Sequence, residues 1–411
     1  MPDQSYETRI EKDLRPSYYD KFHCLAKDCR ISCCKNWRIW FGKKDYLSMK
    51  RQDGSPELNE RIEHGICRIR KDADDIKYYA EFAMKDGICP LLREDHLCEL
   101  QIEKGHDALP EVCRTFPRTN AYMPTGYLER SLSLACEGVL KLLWELPEGI
   151  EFCSDPLPRQ RQRNFTFPDM QNLYAYFQDI RSWCIDMLQD RRYPLPERIM
   201  RMGTAFQKLC DGERDISRWI AEARILQEEP NPFLPSREER SQLLPLFLSN
   251  NLHLLLKSGG DLARDGKNFV RKILKAFLRD IGGEMESGLS FSLTEWLTAR
   301  GRYEEQWGDR EYFMENVMVS IYFHLYMPAL NSPEEMWKSF VNFCNLYAFF
   351  RFMAVTSCCE GFAGDRDALF EHIVFASRML LHNGKRQQRL KEEFFEHDST
   401  TLAHMAILLS D

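Results

Sequence analysis

The chain has 411 residues, of which 44% are hydrophobic, and its formal net charge at pH 7 is −7. This length is enough for two or three domains with a sizeable core, and the hydrophobic share excludes wholesale disorder. The acidic balance argues against a protein that binds the phosphate backbone of nucleic acids, so we expect no nucleic-acid partner.

The cellular compartment can be predicted from what the sequence lacks. Residues 1–21 carry too many charges to contain the apolar region of a signal peptide. No run of about 18 apolar residues is present, so no transmembrane segment is expected. We therefore expect a cytoplasmic protein, and in a reducing compartment clustered cysteines indicate metal or redox chemistry rather than disulfides.

The density of cysteines changes along the chain. Nine of the fifteen cysteines lie within the first 136 residues, which predicts a cysteine-rich metal-binding module over residues 1–153. Within it, Lys77–Met84 and Tyr127–Ala135 have the pattern of short strands, and Asp86-Gly87 is typical of a hairpin turn. Residues 154–168 are polar and contain prolines, so we predict a linker there.

Beyond this linker the hydrophobic period becomes helical. One apolar stripe at helical spacing consists of Leu173, Phe177, Ile180, Cys184 and Met187. Ser332 followed by Pro333 is a typical helix start, and another helix is predicted to begin near Asp365. The predicted fold is therefore mainly α, with the N-terminal metal-binding module and its short strands followed by a larger all-α domain over residues 169–411.

The N-terminal cysteines have the spacing of metal ligands. They are arranged as Cys24-x4-Cys29-x3-Cys33-Cys34, followed by Cys89, Cys98, Cys113 and Cys136. Four thiolates suit tetrahedral zinc or an iron–sulfur cluster, but the CxxC pairs that structural zinc sites favour are absent. Adjacent cysteines can hardly supply two ligands to one tetrahedral ion without strain. The alternative interpretation is buried free thiols, which we expect at Cys184 and Cys210. Within the module, Cys67 lies in a charged, helix-like stretch and is the cysteine we expect to take no part in metal binding.

Four segments of this module resemble the bacterial flagellin lysine-N-methylase family. These segments are FHCLAKDCRISCCKNW (Phe22–Trp37), ICPLL (Ile88–Leu92), LCELQ (Leu97–Gln101) and LPEVCRTFPR (Leu109–Arg118). The resemblance implies transfer of methyl groups from S-adenosylmethionine (SAM) to lysine ε-amino groups of flagellin, with a [4Fe–4S] cluster held by the cysteine-rich motif. Because they match the family motif, the ligands expected first are Cys29, Cys33, Cys34, Cys89, Cys98 and Cys113, whereas Cys24 and Cys136 rank second.

Other functions remain open at the level of sequence. No G-x-G-x-x-G turn follows a strand, so an ordinary nucleotide-type SAM pocket is not visible, and the catalytic and SAM-binding residues stay unassigned. The alternatives are a zinc-stapled adaptor without catalysis and an iron–sulfur redox protein. The basic amphipathic stretch Lys267–Ile281 could contact an anionic membrane, although the same pattern describes a core-facing helix with a solvated basic face.

Overall fold

The structure is a computed structural model that describes residues 4–70, 75–167, 176–210, 215–226, 292–329, 332–382 and 400–410, with 244, 268–269, 272–277, 392 and 395. Across these ranges, no helix is both long and apolar enough to cross a lipid bilayer.

The first 167 residues form short helices and two β-sheets. In chain order these elements are β1 (Gln4–Pro16), β2 (Trp40–Phe41), α1 (Lys43–Lys50), α2 (Pro56–Gly65), β3 (Ile66–Arg68), β4 (Ala80–Phe82), α3 (Glu99–Lys104), α4 (Glu111–Thr115), β5 (Arg118–Tyr122), β6 (Tyr127–Leu132), α5 (Glu137–Trp144) and β7 (Phe152–Phe167). Strands β4 and β6 lie within the two segments predicted as strands. The Asp86-Gly87 turn is confirmed, because both residues have positive φ and Lys85 and Ile88 exchange backbone hydrogen bonds across it.

The larger sheet differs from the short strands expected. Its order is β5-β6-β1-β7, with β1 parallel to β6 and antiparallel to β7. Strand β7 has 16 residues and pairs with the 13 residues of β1 over most of their lengths. Residues 154–167 of the predicted linker therefore form most of strand β7, and residue 168 lies outside the described residues. The prolines and charges of β7 are those that an edge strand tolerates, because one side of an edge strand donates no ladder hydrogen bonds.

The second part of the described chain is helical, as predicted. Its helices are α6 (Phe177–Leu188), α7 (Leu195–Cys210), α8 (Ile216–Leu226), α9 (Leu293–Trp307), α10 (Glu311–His324), α11 (Pro333–Thr356), α12 (Arg366–Leu380) and α13 (Leu402–Leu409). Ser332 and Asp365 cap α11 and α12 by accepting backbone N–H groups, which confirms both predicted starts. Of the predicted apolar stripe, Leu173 lies outside the described residues, and the other four side chains are buried.

Two hydrophobic cores are present, and they divide the chain differently from the predicted domains. The small core contains buried residues between Ile39 and Leu109. The large core joins the helices to Tyr18, Phe22 and Leu132 of the N-terminal part. Residues 1–153 therefore do not share one core, because the four-stranded sheet packs against the helical region.

A buried ion pair fastens this sheet to the helices. Arg181 of α6 donates to both carboxylate oxygens of Glu129 on β6, at 2.7 and 2.6 Å, and neither side chain is more than 2% exposed. The same guanidinium donates to the Phe323 carbonyl at 2.8 Å. Loss of one partner would leave the other charge buried and unpaired.

We predict that Arg181→Met lowers the free energy of unfolding by about 3–5 kcal/mol, because it leaves the Glu129 carboxylate buried without its counter-ion. Urea titration measures this change. Arg9 pairs with Glu11 on the exposed surface, and the control Arg9→Ala should cost at most about 1 kcal/mol. Equal losses of unfolding free energy in the two variants would contradict the stabilising role given to the Arg181–Glu129 ion pair.

Candidate metal centre

The eight cysteines predicted as metal ligands line one cavity. Its volume is about 990 Å³, and its wall includes Cys24, Cys29, Cys33, Cys34, Cys89, Cys98, Cys113 and Cys136. They come from five separate stretches of the chain, so their convergence is a product of folding. Cys67, Cys184 and Cys210 do not line this cavity. Cys184 is buried as expected, whereas Cys210 is exposed at the end of α7, so the burial expected there is wrong.

Local backbone contacts bring two of the cysteine segments together. The Asp86-Gly87 turn directs the following residues back along the segment that contains the adjacent cysteines. The Cys89 amide donates to the Cys34 carbonyl at 2.9 Å, and the Asn36 amide donates to the Gly87 carbonyl at 2.7 Å. These hydrogen bonds hold Cys89 beside Cys34 without the help of a metal.

A buried carboxylate holds the loop that carries Cys29. Glu137 follows Cys136 at the start of α5 and is only 1% exposed. Its Oε2 atom accepts the Arg30 and Ile31 amides at 2.7 and 3.0 Å, and the Cys29 Sγ lies 3.7 Å from the same oxygen. The Glu137 side chain therefore fastens the Cys29 loop next to Cys136.

Backbone N–H groups point at several of these sulfurs. Cys29 and Cys89 accept from the amides two residues further along the chain, and so does Cys24, whose Sγ is 3.5 Å from the Ala26 amide. Cys98 and Cys136 immediately precede short helices, and first-turn N–H groups near their sulfurs favour the thiolate, although neither sulfur caps its helix with a hydrogen bond. Such donors stabilise negative charge on sulfur, and hydrogen bonds to the sulfurs are among the features that tune iron–sulfur centres.

Without a metal, the cavity favours neutral thiols. Burial raises the pKa of Cys29, Cys89 and Cys136 to about 12. The pKa of Cys33 lies well above its usual value, first because of its hydrogen bond with Cys34 and then because of burial. A bound metal ion would favour the thiolates instead, because thiols lose their protons when they coordinate a metal.

The thiols line the cavity without converging on one centre. Among the residues that the structure describes, no three His, Cys, Asp or Glu side chains surround a common point closely enough to hold a metal ion. A zinc ion requires its sulfurs at about 2.3 Å from one centre. The eight cysteines are therefore gathered around one space but do not form a ready-made zinc site.

The helical region closes the cavity through α12. Arg378 donates to the carbonyl oxygens of Ile31, Ser32 and Lys35 at 2.9, 3.1 and 3.0 Å, and weakly to Ala135. Its guanidinium also lies 4.9 Å from the centre of the Trp37 ring. A cation is thereby held beside the cysteine loop, where it favours thiolates over thiols.

Sequence reasoning did not identify this face of the helical region. Glu371, Phe375, Arg378 and His382 line the cavity at intervals of four, three and four residues. The ring of His382 packs against Trp37, and desolvation by the neighbouring groups lowers its pKa, although the residue keeps an exposed edge. The sequence signal for this stripe is a helix face that carries both charged and aromatic residues. This signal is hard to recognise, because ordinary amphipathic helices show a similar pattern.

The aromatic residues of α11 and the described part of Lys267–Ile281 belong to the large core. The aromatic residues of α11 are buried, with Trp337 packed at the edge of the large core. Only residues 268–269 and 272–277 of Lys267–Ile281 belong to the described part of the chain. Ile273 and Phe277 are buried in the large core, as a core-facing helix requires. The remainder lies outside the described residues, and a membrane contact stays a prediction.

Comparison with known proteins identifies the helical region. Residues 181–408 match the FliB lysine N-methylase C-terminal domain, and this match covers more than half of the chain. The chain belongs to the FliB lysine N-methylase family. Membership confirms the resemblance predicted from the cysteine segments, and the matched region contains the stripe of α12 that closes the cavity.

Individual relatives match a smaller part of the chain. The lysine-N-methylases of Salmonella typhimurium strain LT2 and Salmonella choleraesuis strain SC-B67 are each 29% identical over 168 residues, which is 39% of this chain and 40% of theirs. The flagellar biosynthetic protein FliU of Salmonella muenchen is 29% identical over 140 residues, 33% of this chain and 78% of its own. The chain therefore covers about two fifths of the length of the curated lysine-N-methylases that it matches. No solved structure matches the chain.

We predict that Arg378→Met lowers the free energy of unfolding by about 3 kcal/mol, because several carbonyl oxygens of the cysteine loop lose their charged donor. Hydrogen exchange should rise most in residues 31–35. Arg366 is exposed at the start of the same helix, and the control Arg366→Met should change stability by at most about 0.5 kcal/mol. Unchanged exchange in the loop would contradict the role given to Arg378.

The raised thiol pKa values predict a pH dependence for the metal-free protein. At pH 8, a pKa of about 12 leaves a thiolate fraction about a thousandfold below that of an ordinary cysteine. Cys29, Cys89 and Cys136 should therefore react slowly with iodoacetamide, at rates that keep rising above pH 9. Mass spectrometry of each peptide measures these rates against the exposed Cys67 and Cys153. Rates that level off below pH 9 would show that the cavity does not hold neutral thiols.

Proposed function

We propose that this protein is a lysine N-methyltransferase that moves methyl groups from SAM to lysine ε-amino groups of flagellin in the cytoplasm, with a [4Fe–4S] cluster bound in the cysteine cavity. The observation that carries the proposal is the convergence of all eight predicted cysteines on one cavity that the family-defining helical region closes. The names of the relatives, lysine-N-methylase and flagellar biosynthetic protein FliU, support the reaction and the substrate.

The residues that would hold the cluster are drawn from the eight cavity cysteines. When bound, such a cluster would supply a rigid cross-link between the cavity walls or an iron ion to which SAM could bind. The N–H groups near Cys29, Cys89, Cys98 and Cys136 would stabilise the thiolates of the bound state.

The cavity also has the side chains that a methyl transfer needs. Trp37, Phe116 and Phe375 line it with aromatic rings, and a cationic sulfonium is attracted to such surfaces. An acceptor lysine must lose its proton before it can attack the methyl group. Glu371 on the same wall is the carboxylate that would take this proton; it is accessible to solvent, and desolvation by neighbouring groups raises its pKa.

The activity can be tested directly by mass spectrometry of flagellin. We expect flagellin incubated anaerobically with the purified protein, SAM and reductant to gain mass in steps of about 14 Da on lysines. Cys89→Ser should abolish both the methylation and the bound iron, because it removes a sulfur from the cavity wall. The control Cys67→Ser changes an exposed cysteine outside the cavity and should retain both.

The outcomes separate the candidate functions. Bound iron without any methylated lysine would favour a redox protein. A colourless protein that contains zinc and leaves flagellin unchanged would favour the adaptor.

A further inference from the structure

Strand β7 forms one edge of the four-stranded sheet and carries two exposed arginines, Arg161 and Arg163. We infer that the second half of this strand, residues 159–167, is a docking edge for an extended, acidic segment of another protein, which adds to the sheet as a further strand. The inference concerns a protein partner, and it depends neither on methyl transfer nor on a bound metal.

The backbone of β7 can accept another strand. β7 pairs with β1 on one side, and among the described residues no strand pairs with its other side. An edge strand directs alternate N–H and C=O groups away from its sheet, and the backbone of an added peptide can pair with these groups. Pro156 and Pro158 both lie in the first half of β7, whereas residues 159–167 contain no proline and keep all of their N–H donors.

Tyr122 of β5 holds both arginine side chains on one face of the sheet. Arg161 donates from Nη1 to the Tyr122 hydroxyl at 2.7 Å, and the Arg163 guanidinium lies 4.3 Å from the centre of the same ring. Their partners on β1 are Ile10 and Thr8, neither of which is charged. Because the phenol orders both cations before a partner arrives, less side-chain freedom is lost on binding.

Three carboxylates of the β1–β7 ribbon already have cationic partners. Asp13 and Asp155 each lie 2.7 Å from Arg15, and Glu11 pairs with Arg9. In the part of the chain that the structure describes, neither of the two exposed β7 arginines has a carboxylate within ion-pair distance. Two exposed cations that are held side by side without a counter-ion attract anionic groups, so the partner segment should carry acidic side chains.

The spacing of the arginines defines the pattern of this segment. Side chains two residues apart on a strand lie on the same face, about 7 Å from each other. Acidic residues at alternate positions of an added strand therefore stand beside Arg161 and Arg163 as cross-strand pairs of opposite charge. A long polyanion such as nucleic acid fits this edge less well, because the chain as a whole has a net charge of −7.

The test measures the binding of synthetic peptides to the full chain by fluorescence anisotropy. The probe is a labelled peptide of about eight residues in which glutamate alternates with threonine. A peptide with glutamine in place of glutamate should bind about tenfold more weakly, because it lacks the charges. A glutamate peptide that is N-methylated at alternate residues should lose a similar factor, because it keeps the charges but lacks the N–H groups that pair with β7. Added salt should weaken the binding of the glutamate peptide.

A paired variant tests the arginines. Arg161→Gln together with Arg163→Gln should weaken the glutamate peptide about tenfold, because both cross-strand charge pairs are lost. The matched control, Arg51→Gln together with Arg68→Gln, removes the same charge from two other exposed arginines. Arg68 is a close match for Arg163, because it also lies over a tyrosine ring, 4.7 Å from the centre of Tyr79. The control should bind the peptide as the unaltered protein does.

Several results would overturn the inference. They are the absence of binding by the glutamate peptide, equal binding of the glutamine or the N-methylated peptide, and undiminished binding by the β7 variant. A dimer in light scattering that dissociates in the β7 variant would assign the edge to a second copy of this chain, and it would overturn the inference as well. The peptide series uses the unaltered protein, so it remains decisive if the variant fails to fold.

Discussion

The arrangement of the cysteine cavity depends on one partly buried cation, Arg378. Arg378 reaches from the last turns of α12 to peptide oxygens that lie nearly 350 positions earlier in the chain. Peptide carbonyls inside a protein need donors, and a loop with few regular hydrogen bonds cannot supply them from its own backbone. A single guanidinium satisfies several carbonyls at once because its donors are fixed in a planar fork. The cysteine loop therefore obtains its shape from the helical region.

Glu137 complements this cation from the other side of the loop. The carboxylate accepts the amides of Arg30 and Ile31, while Arg378 donates to carbonyl oxygens that begin at Ile31. Both charged groups have further partners, since Lys141 lies 2.8 Å from Glu137 and the cation faces the thiols. The loop is thus held by opposite charges on opposite sides, which fixes the direction of its cysteines more firmly than packing alone would.

The features of this fold that could be predicted from the sequence are those whose signal lies within a short stretch of the chain. Cysteine spacing marked all eight cysteines that line the cavity, because thiols are recognisable by residue type. The starts of α11 and α12 followed from capping residues that act within one turn. The long pairing of β1 with β7 was missed, because its charged, proline-containing edge has the composition of a linker. Arg378 and Glu371 were missed for another reason, since their roles depend on contacts between distant parts of the chain.

The two hydrophobic cores also have a mechanical consequence. The chain leaves the large core after Phe22, enters the small core at Ile39 and returns after Leu109 to β5. Both crossings run past the cavity, and they carry five of its eight cysteines, namely Cys24, Cys29, Cys33, Cys34 and Cys113. The two cores are therefore joined by chain segments whose cysteines face one space. A group bound there would link both crossings to each other and so hold the small core against the large one.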